Sequence, residues 1–227
     1  MLKILILNPN SDESMTAEIR KTARRYADDR FAVECISTPG APRLIETYAD
    51  MAQAGPGMAR IMQENQDKYD GVVVACHYDP HLDAMKEITP KPAVGIGEAS
   101  LRVATMLGHR FSLITTDERS IPIHTGLIRK YSLQDAAASV RAPEAGPGDV
   151  PEKDRYLQAA REAVEKDRAE VIVLGCAGLS GLDRFLQGEL GVPVLDGVVC
   201  ALFLVEGMAR YGIGVSKVRR YNPDDPG

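Results

Sequence analysis

The 227-residue sequence has no long run of lysine or arginine. Its 27 basic and 32 acidic residues are interspersed and leave a net charge of -5, which argues against nucleic acid or an anionic membrane surface as partner. A small molecule is the expected ligand. Long hydrophobic runs are missing too. The opening LKILIL stops at Asn8, too short for a signal-peptide core or a bilayer span, so a cytoplasmic protein is expected. Cysteine is scarce: Cys35, Cys76, Cys176 and Cys200 stand far apart, and without a secretory signal such thiols are expected to stay reduced. No low-complexity segment or long linker interrupts the chain.

What is present is an alternation of short apolar runs and helix-length amphipathic segments. Strands are expected near residues 4–7, 31–36, 71–75, 93–96, 111–115, 139–142, 170–175 and 193–196. The first helix-like segment, SDESMTAEIRKTARRYA, opens on Ser11 as an N-cap and carries Met15, Ile19 and Ala23 at helical spacing. Strand followed by helix, repeated, is the pattern of a parallel sheet covered on both faces, so the fold class is α/β. The length suits one large domain or two small ones with a real core.

Three landmarks recur in the second half. Polar turns follow strands at 7–14 (LNPNSDES) and 114–120 (ITTDERS), cysteines follow apolar strands at Cys76 and Cys176, and Pro-led strands begin at Pro92 and Pro193. The repetition predicts two similar lobes, residues 1–100 plus a C-terminal helix at about 197–227, and residues 101–196. Each would be a mostly parallel sheet flanked by helices, the two related by a pseudo-twofold axis, with the active site in the cleft between them. Ligands in such sheets bind outside the carboxyl ends of the strands. The Pro/Gly-rich stretch 141–154 is expected to be a connection inside the second lobe.

One cysteine at the end of a strand in each lobe suits inversion of a carbon stereocentre. Such a reaction needs one acid/base group on each side of the substrate. A thiol with an ordinary pKa of about 8.5 titrates near neutrality, and a helix N-terminus behind Cys176 is expected to lower it further. Amides in the AGLSG turn after Cys176 would also hold an enolate oxygen, at roughly 2.7 to 4 kcal/mol per donor.

Other residues carry weaker readings. Cys35 and Cys200, inside FAVECI and VVCALFLVEGM, are expected to be buried apolar thiols. GCAGLSG lacks the Gly-Lys-Ser/Thr ending of a phosphate loop, and the tight spacing of the CHYDPH cluster makes a shared metal sphere awkward. His77 is either a substrate or tuning residue beside Cys76 or a polar turn residue. His109 and His124 read as loop and helix-surface residues. Glu98 and Asp196 hold matching positions after the Pro-led strands, serving either lobe structure or site support.

Taken together, ILNPNSDESMT, VVVACHYDPHLDA, VGIGEA, VLGCAGL, GVPVLDGV and the closing Ser216-Lys217 resemble the aspartate/glutamate racemase superfamily, and within it the hydantoin and allantoin racemases, over nearly the whole chain. The resemblance implies 1,1-proton transfer at the acidic carbon of a five-membered hydantoin ring, with Cys76 and Cys176 as the two bases. It further implies substrate contacts from Asn10 and Ser11 in NPNS, from Thr115 and Thr116, and from the backbone of Ala177, Gly178 and Leu179, with His77 beside them. The ring carbonyls delocalise the carbanion, so no cofactor and no metal is expected, and a homo-oligomer is. One departure stands out: the family's CFGDPG-like stretch is CHYDPH here, placing bulk at Tyr78 and His81 and a titrating ring at His77. Other superfamily activities, an amino-acid racemase or a maleate-type cis-trans isomerase, and a non-catalytic ligand-binding protein remain as alternatives.

Overall fold

The computed structural model describes residues 1–144, 151–222 and 224. Part of the 141–154 connection therefore lies outside the described residues. The chain divides into two compact units, Met1–Ile96 with Ala201–Gly227, and Gly97–Cys200.

The first unit contains β1 (Lys3–Asn8), α1 (Glu13–Ala27), β2 (Ala32–Ser37), α2 (Tyr48–Asn65), β3 (Gly71–Val74), α3 (Leu82–Ile88) and β4 (Ala93–Gly95). The second contains most of α4 (Ile96–Leu107), then β5 (Phe111–Ile114), α5 (Ile121–Lys130), β6 (Ala137–Arg141), α6 (Glu152–Glu165), β7 (Val171–Leu174), α7 (Asp183–Leu190) and β8 (Val194–Leu195). The last helix, α8 (Gly197–Tyr211), starts in the second unit and continues in the first. All eight expected strands are present, and their pairings are parallel.

The two sheets repeat one strand order, β2-β1-β3-β4 and β6-β5-β7-β8. The order reverses between β1 and β3 in the first sheet and between β5 and β7 in the second. These are the topological switch points, where loops leaving adjacent strands diverge and open a crevice.

The strands read as continuous apolar runs because both faces are covered. In the second unit Ile114, Ile172 and Leu174 pack with Tyr156, Ala159, Ala160 and Ala163 of α6 and Leu186 of α7. Their neighbours Leu113, Val171 and Val173 pack instead with Leu101 and Ala104 of α4 and Leu127 and Ile128 of α5. This alternation is the period of two that a strand imposes on its side chains. In the first unit Leu5, Leu7, Val72 and Val74 face Met58 and Met62 of α2 and Met85 of α3. Gly71 is needed at the start of β3, because a Cβ there would collide with Val205 of α8. The closing Ser216-Lys217 has a local job: Lys217 Nζ donates to the carbonyls of Lys86 and Glu87 at 2.7 and 2.8 Å, satisfying the last turn of α3.

Two local expectations change. The N-cap of α1 is Asp12, not Ser11: its carboxylate accepts from the amides of Ser14 and Met15 at 2.8 and 3.0 Å. Those hydrogen bonds and Arg43 hold the Asp12 carboxyl well below the usual range. His124 is not on a helix surface. It is fully buried because it shares one face of α5 with Leu127 and Ile128, three and four residues on. Burial lowers its pKa to about 3, so the ring is neutral.

Cys35 and Cys200 are buried, and burial pushes their thiols up to about 11 and about 12. The sign of the effect on stability follows from proton counts. Above pH 9 the unfolded chain releases these protons while the native state keeps them, so stability present below pH 9 is lost as pH rises. At pH 10 each thiol should cost about 1.4 kcal/mol. Denaturant unfolding at pH 8 and 10 should show that a C35A/C200A double variant removes about 3 kcal/mol of the loss seen in the parent. Tyr156, raised by burial to about 12, acts in the same direction and remains in both proteins.

Candidate active site

Each unit presents a cysteine at the same offset from its central strands. Leu7 pairs with Val74 and Ile114 with Leu174. One residue on, the Ala75 amide donates to the Leu7 carbonyl at 2.9 Å and the Gly175 amide to the Ile114 carbonyl at 2.8 Å. Cys76 and Cys176 follow directly, both partly exposed and both free thiols. In the same register Thr115 is the counterpart of Asn8.

The NPNS turn leaves β1 under tight control. Asn8 is buried and donates its side-chain amide to Asn10 Oδ1 and Thr16 Oγ1, both at 2.8 Å. Asn10 Oδ1 also accepts from the Asp12 amide at 3.0 Å, while Thr38 donates its hydroxyl to the Asn8 carbonyl and its amide to the Asn10 carbonyl. Among the described residues the Asn10 amide nitrogen has only the thioether of Met15, at 3.1 Å, as acceptor, and a thioether is a weak acceptor. That leaves Asn10 with donor capacity for a ligand. The Ser11 amide is held by the Pro42 carbonyl at 3.1 Å. Asn8, Thr16 and Thr38, which position the turn, were not evident from the sequence; Asn8 is inside the NPNS motif but Thr38 is distant.

The CHYDP turn is closed by the Asp79 amide, which donates to the Cys76 carbonyl at 3.0 Å. Asp79 and His81 both take left-handed backbone conformations, with φ of 49° and 54°. The buried Asp79 carboxylate lies against Gly95 of β4, where a Cβ would collide with it. His77 is also buried, at 2% exposure. His81 turns to α2: its Nε2 is 2.6 Å from the Met51 carbonyl, and its ring covers Gly55 so closely that a Cβ there would come within 2.8 Å. The bulk at position 81 is thus absorbed by a glycine in α2. Among the described residues no group of three or more His, Cys, Asp or Glu side chains is arranged to hold a metal ion.

In the second unit the Thr115 amide donates to the Arg141 carbonyl at 2.8 Å, tying the end of β5 to β6, while its buried hydroxyl has no hydrogen-bond partner among the described residues. Thr116 is exposed. Cys176 leads into a single 3-10 turn, Ala177–Leu179, rather than directly into a longer helix. Ala177 and Leu179 are buried and Gly178 is exposed. The Gly178 amide donates to Cys176 Sγ at 3.3 Å. The expected lowering of the Cys176 pKa is overturned. Burial raises it, and the opposing pull of the Gly178 and Leu179 amides is the smaller effect. His124 lies beneath this turn, and Gly175 leaves room for its ring: a Cβ there would come within 3.2 Å of Nε2.

Glu98 and Asp196 both serve helix starts. Glu98 is in the first turn of α4, 3.7 Å from Arg102. Asp196 accepts from the Val198 amide at 2.8 Å at the head of α8, and burial raises its carboxyl pKa.

An α/β chain whose two sheets share one strand order and end in matched cysteine turns is, with the similarities that follow, an isomerase of the racemase class. It belongs to the Asp/Glu/Hydantoin racemase family, whose model matches residues 4–205. The hydantoin racemase of Rhizobium meliloti is 38% identical over 226 residues, 97% of this chain and 94% of that protein. The hydantoin racemase of Pseudomonas sp. strain NS671 is 35% identical over 226 residues, 97% of this chain and 91% of the relative. Among solved structures, the allantoin racemase from Klebsiella pneumoniae matches with a TM-score of 0.93 at 30% identity, over 99% of this chain and 95% of that one.

The His81–Gly55 contact is directly testable. Gly55→Ala should destabilise by about 1–3 kcal/mol through overpacking. In a His81→Ala background the same substitution should cost at least about 1 kcal/mol less, the coupling that urea unfolding of the double-mutant cycle would measure.

Proposed function

We propose that this chain is a cofactor-independent, cytoplasmic racemase of 5-substituted hydantoins or allantoin that works as a homo-oligomer, with Cys76 and Cys176 as its two acid/base groups. The observation that carries the reading is the shared register: both thiols stand two residues past the central strand of their sheet, at the switch point. The relatives named for these substrates support the ring as substrate class. Four free thiols fit a reducing compartment.

In this mechanism one thiolate removes the proton from the ring carbon, and the thiol of the other unit returns a proton to the opposite face. The electron pair left on carbon spreads into the ring carbonyls. The Asn10 side-chain amide, poorly satisfied by the Met15 thioether, is a donor suited to the enolate oxygen. Burial favours the thiol form of Cys176, which suits it to the acid role in one direction. In the reverse direction the roles exchange. No helix among the described residues is long and apolar enough to cross a membrane.

The test uses single enantiomers of allantoin and 5-benzylhydantoin in D₂O, with optical rotation and deuterium at the ring carbon as readouts. Cys76→Ser and Cys176→Ser should each lower racemisation by at least about 100-fold, while one-sided exchange persists for one enantiomer in one variant. Normal turnover in either variant would defeat the two-thiol mechanism. The alkaline fall of kcat/KM should lie above the range of an ordinary thiol, because ionising Cys176 removes the acid and burial raises its pKa.

A further inference from the structure

Between the Cys76 thiol and α3 lies only one tight turn. The Asp79 amide donates to the Cys76 carbonyl at 3.0 Å and the Leu82 amide to the Asp79 carbonyl at 3.3 Å, and Leu82 is already the first residue of α3. The seat of this helix therefore governs where the turn, and the thiol before it, come to rest. Yet α3 is only 7 residues long and fully buries only Leu82 and Met85. So short a helix has little stability of its own, and its placement must come from what packs around it.

The closing segment of the chain, which belongs to the same unit, meets α3 at both ends. It is anchored just beyond the helix: the Val215 amide donates to the Pro90 carbonyl at 3.0 Å, and Val215 packs on the core cluster that contains Met58, Met62 and Met85. Gly214 permits this approach, because a Cβ there would collide with the same carbonyl. From this anchor Lys217 reaches back to the helix. Its Nζ donates to the carbonyls of Lys86, Glu87 and Tyr221 at 2.7, 2.8 and 3.2 Å. Those three acceptors match the three protons of an ammonium, and a cation there also meets the negative end of the helix dipole. At the first turn of α3 the Tyr221 hydroxyl donates to Asp83 Oδ1 at 2.9 Å. Arg220 pairs with the Glu87 carboxylate, but Arg220 is exposed, and such pairs contribute little. Lys217, with Tyr221, is the main polar clamp.

We propose that Lys217 is a positioning residue for the reaction: by fixing α3 from its C-terminal end it fixes the CHYDP turn and the placement of the Cys76 thiol. This rests on the racemase reading above and adds to it a residue that touches no reacting atom. A misplacement of about 1 Å costs on the order of 100-fold in rate, so loosening the clamp acts on the chemical step more than on binding of the ring.

The experiment compares the parent with Lys217→Met, Lys217→Arg and Tyr221→Phe, all in the full chain and each checked by a thermal melt. Iodoacetamide alkylation of Cys76 and Cys176, followed by peptide mass, reads the two partly exposed thiols in one molecule, with Cys176 in the second unit as internal reference. Racemisation of allantoin and 5-benzylhydantoin gives kcat and KM. Lys217→Met should speed alkylation of Cys76 at least about fivefold and leave Cys176 within about twofold, as local opening requires. Its kcat should fall at least about tenfold with KM within about threefold. Lys217→Arg, which keeps the charge and donors, should recover part of both effects, and Tyr221→Phe should move both in the direction of Lys217→Met by less. Equal acceleration at the two cysteines, or a folded Lys217→Met with Cys76 unchanged, would overturn the proposal. If Lys217→Met does not fold, a Tyr221→Phe variant with Cys76 unchanged overturns it instead. A parent that racemises neither ring defeats the function on which the proposal rests, and the alkylation rates still decide whether Lys217 seats Cys76.

Discussion

Two backbone hydrogen bonds, Ala75 to Leu7 and Gly175 to Ile114, are the last rungs of the central parallel ladders. Beyond them the chain must leave the sheet, and adjacent strands leave in opposite directions because each sheet reverses its order there. A residue one position past the last rung is therefore held by rigid, buried strands yet free of the sheet. Cys76 and Cys176 occupy that position. The apolar strands, with Leu5, Leu7, Val73 and Val173 completely buried, supply the rigidity, and the loops supply the chemistry. This division of labour is general for open α/β sheets.

The two turns reach the same offset by different means. In the first unit the CHYDP turn is clamped from outside: Asp79 lies against Gly95 and His81 against Gly55. In the second unit the turn is a short 3-10 segment, and the fully buried His124 lies beneath Gly175. Each arrangement depends on a glycine where a methyl group would collide. A neutral, desolvated imidazole under Cys176 provides no charge to stabilise a thiolate, consistent with a thiol held in its protonated form. The departure of CHYDPH from a glycine-rich pattern thus changes the packing against α2, and His81 does not extend the site.

The polar residues follow the same logic. Asn8 and Thr38 are buried and spend their hydrogen bonds on the NPNS turn, so they orient Asn10 without offering donors themselves. Asn10, satisfied at oxygen but poorly at nitrogen, and Thr115, buried with an unpartnered hydroxyl, retain capacity that a substrate would use. Arg141, bound by Asp167 and Glu162, is a further support at the end of β6. Unspent hydrogen-bonding capacity, more than residue type, distinguishes these side chains from the supports around them.

Much of this was legible in the chain itself. Apolar runs of four to six residues between amphipathic segments determined the eight strands and the α/β class, because strands buried on both faces admit no polar alternation. The recurrence of a cysteine after an apolar run, 100 positions apart, determined the matched strand ends, since register is a local property. What lay beyond the sequence were effects of side chains brought together from distant elements. That His124 is buried rather than exposed, that Asp12 rather than Ser11 caps α1, and that Lys217 reaches the last turn of α3 are set by packing. The balance at Cys176 is likewise a tertiary quantity. Nearby amides are readable from the turn, but the desolvation that outweighs them comes from the surrounding core, and only the folded chain determines how much water a thiol loses.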